Sequence, residues 1–154
     1  MKNFTVKSLF VLFAIVSVFF ASIPVMANGG YTKAQVDRII KNAETRSDIF
    51  VKSFDRALDH SRLNGSARED YLNKRAKDLE KALDELRREF DRRDLWIENR
   101  DEVRKCLNIA TDINVAMKNR RFGFGVEANW AALRAELNML AQAYGLPKVG
   151  SPAY

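Results

Sequence analysis

Two apolar seams, each stepping alternately by four and three residues, constrain this chain more than any other feature. The first runs Val36, Ile40, Ala43, Ser47, Phe50, Phe54, Ala57 and Ser61; the second runs Leu72, Ala76, Leu79, Leu83, Leu86 and Phe90. That spacing returns a side chain to the same helix face every turn and suits helices packed along their whole length. Asn64-Gly65 lies between the seams and supplies the left-handed residue that commonly stops a helix. A helix from the N-cap Thr32 to Leu63 would be roughly 45 Å long, more than a small round core needs. Ser66 with Glu69 three residues on reads as a capping box opening the second helix. The sequence therefore predicts an antiparallel helical hairpin inside an elongated bundle.

The rest of the chain supplies two shorter helices. Asp94 to Glu98 reads as a corner, with Leu95, Trp96 and Ile97 plugging one end of the bundle. Asn99 with Glu102 repeats the capping pattern and opens a third helix through Val103, Cys106, Ala110, Ile113 and Met117. A loop follows at Arg120 to Gly125. The fourth helix carries Val126, Trp130, Leu133, Leu137, Leu140 and Tyr144 on one stripe and stops at Gly145, with Pro147 just beyond. No segment keeps the two-residue alternation of a half-buried strand over useful length. The fold class expected is all-α, an elongated antiparallel up-down four-helix bundle, with residues 28–147 as one domain and 148–154 as a flexible C-terminal tail.

Residues 1–27 read differently. Lys2 and Lys7 precede an apolar run from Leu9 to Phe20, and Val25 and Ala27 stand at the −3 and −1 positions of a cut before Asn28. This is the layout of a secretory signal peptide. No cysteine stands just after the run, which argues against a lipoprotein. The expectation is an exported protein, periplasmic or extracellular, with no stable membrane insertion after processing. The whole chain has a formal charge of +6, to which Lys2 and Lys7 contribute two, so the mature surplus is mild. Acids and bases are interleaved along the helices, in pairs such as Asp37 with Lys41, Asp48 with Lys52, Asp70 with Lys74 and Lys81 with Glu85. That pattern suits a solvated helix surface rather than specific nucleic-acid binding. The single cysteine excludes an intramolecular disulfide, and Cys106 on an apolar face is expected to be a buried, inert thiol.

Catalytic and metal chemistry find little to stand on. A ferritin-like di-metal centre needs two Glu-x-x-His pairs, whereas His60 is the only histidine and has no acid three positions upstream. His60 is expected on the surface near the hairpin tip. The nucleophile-elbow pattern Gly-x-Ser-x-Gly is absent, and the carboxylates mostly sit opposite bases. No cofactor and no metal are expected. The remaining candidate is the last loop, where Lys118, Arg120 and Arg121 precede Phe122-Gly123-Phe124-Gly125. Cations beside aromatics and glycines suit an anion or partner site, though the stretch lacks the Gly-Lys-Ser/Thr ending of a P-loop. Cations at a helix C-terminus followed by glycine also complement the helix dipole, and this is the expectation, with Phe122 and Phe124 closing the bundle end.

Two stretches carry a resemblance: Ser53-Phe54-Asp55-Arg56-Ala57-Leu58-Asp59-His60-Ser61-Arg62-Leu63-Asn64-Gly65-Ser66, and Trp130 to Tyr144. Both, together with the Arg100 to Lys118 helix, resemble a group of small, exported bacterial helical proteins with no established activity. The resemblance implies a bacterial source and an all-helical fold, and it brings no catalytic residue. The functional expectation is a non-catalytic binding or interaction module of the bacterial envelope, monomeric or weakly self-associating. Its partner would be an envelope protein or an anionic envelope polymer. The alternatives are an envelope-stress holdase, which needs a wide apolar cradle, or an enzyme with a carboxylate and arginine site.

Overall fold

A computed structural model describes residues 30–151, so residues 1–27, expected to be a signal peptide, lie outside the described residues. The described residues form four α-helices and one short 3-10 turn, with no strand among them. Helix α1 spans Lys33–Asp59, α2 Ala67–Arg92, α3 Arg100–Asn119 and α4 Phe124–Ala143, and the 3-10 turn spans Trp96–Asn99. The arrangement is a helical bundle. Helix α1 packs against α2 and α4, α2 against α3, and α3 against α4. None of these helices is long and apolar enough to cross a membrane.

Both seams face inward. Val36, Ile40, Ala43, Ser47, Phe50 and Phe54 are buried on α1, and every residue of the α2 seam from Leu72 to Phe90 is buried. Near the end of α1 the buried residue becomes Leu58, while Ala57 is only half-buried. A straight helix drifts about 20° per heptad against a strict seven-residue repeat, which moves the inward position along by one. The α4 stripe of Val126, Trp130, Leu133, Leu137, Leu140 and Tyr144 is wholly buried. On α3, Val103, Cys106, Ala110 and Ile113 are buried, and Met117 is half-buried. Burial pushes the Cys106 thiol up to about 12.

The caps follow the sequence in most places. Thr32 and Gln35 form a complete capping box at α1. At α2, Ser66 Oγ accepts from the Glu69 N–H at 3.2 Å, but the Glu69 carboxylate reaches the N–H of Gly65 rather than that of Ser66. Helix α4 ends in a Schellman motif, with Gly145 at φ +60°, Leu146 N–H donating to Ala141 O at 2.8 Å and Gly145 N–H donating to Gln142 O at 3.3 Å.

Five expectations need correction. Helix α1 stops at Asp59, before the expected Leu63, because local polar side chains take over the backbone: Ser61 Oγ accepts from Leu63 N–H and Asn64 Nδ2 donates to Asp59 O. Leu95 is half exposed; only Trp96 is buried at that corner, with Ile97 partly so. Asn99 does not cap α3 by its side chain, since its Nδ2 turns back to Trp96 O at 3.3 Å and Glu102 is held by Arg93 at 2.8 Å. Of the four ion pairs read from α1 and α2, Asp37 with Lys41 forms at 2.9 Å, whereas Lys74 takes Asp78 and Glu85 takes Lys105 across to α3. Finally, the segment expected to fray is seated as far as it is described: Val149 is buried and its N–H donates to Asn138 Oδ1 at 2.8 Å. Gly150, at φ +84°, passes so near α3 that a Cβ there would lie 2.7 Å from Asn114 Nδ2.

The two ends of the bundle are built differently. At the end holding Trp96, Tyr144 packs its ring edge-on at 5.1 Å and donates its hydroxyl to Trp96 O at 2.9 Å. Arg100 donates to Tyr144 O and Gly145 O, satisfying carbonyls that the end of α4 leaves free. The opposite end brings together the α1–α2 turn and the α3–α4 loop, which line one cleft through His60, Arg62 and Leu63 on one side and Arg120, Arg121 and Phe122 on the other.

Candidate functional site

The α3–α4 loop places its three cations on one pocket of about 280 Å³. The last turns of α3 contribute Asn114, Met117 and Lys118, at the helical spacing of three and four that sets side chains on one face. The first turns of α4 contribute Glu127, Trp130, Ala131 and Arg134 at the same kind of spacing. Arg120 and Arg121 close the pocket from the loop between them. Four cations thus face one carboxylate. Arg121 lies 3.8 Å from Glu127, a long ion pair on a 94% exposed side chain, so its charge remains available to solvent. Among the described residues Lys118, Arg120 and Arg134 make no salt bridge.

Asn114 anchors the floor of the pocket. It is buried, and its Oδ1 accepts from Trp130 Nε1 at 3.3 Å and from Arg134 Nη1 at 3.2 Å. These bonds fix the Arg134 guanidinium at the pocket wall. Helix α4 adds a further positive contribution: Gly123 at its N-cap, with φ +95°, provides no side-chain acceptor, so the first N–H groups of the helix stay free. The site can therefore hold an anion by charge and by hydrogen-bond donation, and it holds no pair of groups arranged for proton transfer.

Phe122 and Phe124, expected together at the bundle end, part company. Phe122 turns inward, its ring 5.0 Å from Phe54 in an edge-to-face contact, and lines the end cleft rather than the basic pocket. Phe124 is 89% exposed and closes nothing. Gly123 between them, in the left-handed region, lets the chain turn so that the two rings separate.

Sequence reasoning missed Asn114, Glu127 and Arg134. Each is polar on a helix that otherwise shows its apolar stripe, and the signal available was the repeat of polar residues one step beside that stripe at Glu127, Arg134 and Asn138. The carboxylates elsewhere are mostly tied to bases. Arg87 beside Asp37 holds that carboxyl below its ordinary range, and Lys74 does the same for Asp78. Glu44 and Glu80 move the other way, raised first by burial and then by neighbouring carboxylates, Asp84 and Asp48. Glu136, buried on α4, accepts from Arg46 Nε at 3.2 Å across the α1–α4 interface.

No protein family, no curated protein and no solved structure matches this chain. The role of the pocket rests on its own geometry.

Proposed function

We propose that this chain is an exported, non-catalytic binding module of the bacterial envelope, an elongated up-down antiparallel bundle that retains an anionic partner at the α3–α4 end. The observation that carries the reading is the convergence of Lys118, Arg120, Arg121 and Arg134 on one pocket with a single carboxylate, beside the uncapped start of α4. Clustered cations with few carboxylate partners, beside free N–H groups, favour a carboxylate, sulfate or phosphate over a neutral ligand. The short turns between α1 and α2 and between α3 and α4, with α1 lying between α2 and α4, support the up-down order. The seven-residue basic start, apolar run and Val-x-Ala exit of residues 1–27 support export. The partner is an anionic component of the envelope, and the module acts as a monomer or a weak homo-oligomer.

Replacing Arg120 and Arg121 together with Gln tests this. The pair is exposed, so the melting temperature should hardly move, while salt-sensitive retention on heparin or on a purified anionic envelope polymer should fall sharply. Unchanged retention in the double variant would return both arginines to the simpler role of complementing the end of α3.

A further inference from the structure

The end of the bundle next to the basic pocket has a composition of its own. No carboxylate occurs from His60 to Arg68 or from Lys118 to Val126, and these are the two stretches that meet there. Arg62, Arg120 and Arg121 line the shared end cleft, and Arg120 and Arg121 also line the basic pocket, so the two sets of cations form one continuous basic end. The opposite end is mixed, with Asp94 and Glu98 beside Arg92 and Arg93.

From this basic end projects the most exposed large apolar side chain among the described residues, Phe124 at 89% exposure. A lone exposed apolar residue is ordinary on a protein surface. Phe124 differs in its setting: it stands between two glycines, next to a ring that is packed inward, and among cations with no acid in the same loop. Arginine heads that pair with phosphates, surrounding an aromatic ring that enters the boundary between headgroups and acyl chains, are the elements of interfacial membrane contact.

We propose that this end docks on the surface of an anionic phospholipid bilayer, with Arg62, Arg120 and Arg121 against lipid phosphates and Phe124 inserted at the interface. The proposal rests on the anion-binding reading above and names the source of the anion. A soluble anionic polymer would engage the same arginines but give Phe124 nothing to enter. The bilayer uses both halves of the surface, which is why the observations favour it. The contact is reversible, since one ring and a few cations fall well short of a spanning helix.

The test uses the chain from Asn28 to Tyr154, which contains every described residue and omits the apolar leader that would bind lipid by itself. Cosedimentation with phosphatidylglycerol vesicles should be salt-sensitive, and phosphatidylcholine vesicles should not carry the protein down. Phe124→Ala should weaken partitioning about tenfold with an unchanged melting curve, because the ring touches no core. Each of Arg120→Gln and Arg121→Gln should weaken it roughly fivefold. Phe124→Trp should restore binding and give a blue-shifted emission on the anionic vesicles. If Phe124→Ala sediments like the parent, the membrane proposal is overturned. If heparin retention depends on the arginines but no vesicle is bound, it is likewise overturned while the anion-binding reading stands. If neither vesicles nor heparin are bound, both fall.

Discussion

Phe54 joins the core to the basic loop, and its removal should be felt in both. The side chain is fully buried, its ring 5.0 Å from Phe50 in a stacked contact and 5.0 Å from Phe122 in an edge-to-face contact. Truncating a buried Phe to Ala costs about 3–5 kcal/mol, from lost transfer energy and the cavity left behind. The two ring contacts add about 0.5–1.5 kcal/mol each beyond area burial, which places Phe54→Ala toward the upper part of that range. For a bundle of this length, that corresponds to a fall in Tm of roughly 12–20 °C. Urea unfolding should show a lower midpoint with an unchanged slope, since the same surface is exposed on unfolding. Phe122→Ala, which removes a half-buried ring, should cost only about 1–2 kcal/mol. In a double-mutant cycle the two should be coupled by about 0.5–1.5 kcal/mol. A Phe54→Ala variant melting within about 3 °C of the parent would refute the reasoning, because the α1 seam would then be an exposed stripe rather than core.

Cys106, with its thiol raised to about 12 by burial, should resist iodoacetamide at pH 8 and react fully once urea unfolds the bundle; rapid labelling of the folded protein would contradict its burial. Glu80 has a raised folded pKa, so its ionised form is disfavoured by folding and the resulting penalty is present at neutral pH and relieved as pH falls through that raised value. Glu80→Gln should therefore raise Tm at pH 7, with the gain shrinking toward acid pH. Asp37 behaves oppositely: its lowered pKa contributes stability present above the ordinary 3.8 and lost as pH falls through the lower folded value. Intact-mass measurement of protein recovered from a bacterial envelope fraction should find Asn28 as the first residue; full-length chain retained in the membrane pellet would remove the export reading.

What could be read from the sequence is what repeats along it. The α2 seam from Leu72 to Phe90 and the α4 stripe from Val126 to Tyr144 each have one face, and burial follows the period. Caps that depend on three adjacent residues, at Thr32, Ser66 and Gly145, were legible for the same reason. Features set by competition between alternative partners were not. Asn99 bonds Trp96 O three residues back instead of capping α3, two local choices that the sequence does not rank, and Lys105 reaches Glu85 on α2, a partner that only the packing of the helices supplies. Half of the candidate site was legible as a basic loop, Lys118, Arg120 and Arg121. The other half, Asn114 and Arg134, joins it only because α3 and α4 lie side by side and set residues twenty apart in sequence within 3.2 Å.

On the proposed reading, the architecture also separates stability from binding. At the Trp96 end, the free carbonyls of α4 are taken by Arg100, the Tyr144 hydroxyl is bonded, and the aromatic pair is packed, so the polar groups there serve the fold. At the other end, the start of α4 has no side-chain cap, three of the four pocket cations have no carboxylate partner among the described residues, and Phe124 has no packing partner in the core. Gly at an N-cap costs only about a few tenths of a kcal/mol relative to Ser or Asp, so leaving that position to Gly123 keeps the first N–H groups open at little loss of stability. Unpaired charges and an open helix start are cheap where water reaches them and become favourable where an anion does. The balance is affordable because α1 and α4 share a continuous buried interface through Phe50 and Trp130, whose rings meet at 5.1 Å just beneath the basic pocket. Substitutions in the loop should therefore alter binding with little effect on folding, whereas substitutions at Phe50 or Trp130 should alter both, and that asymmetry is the signature expected of a binding end carried on a rigid bundle.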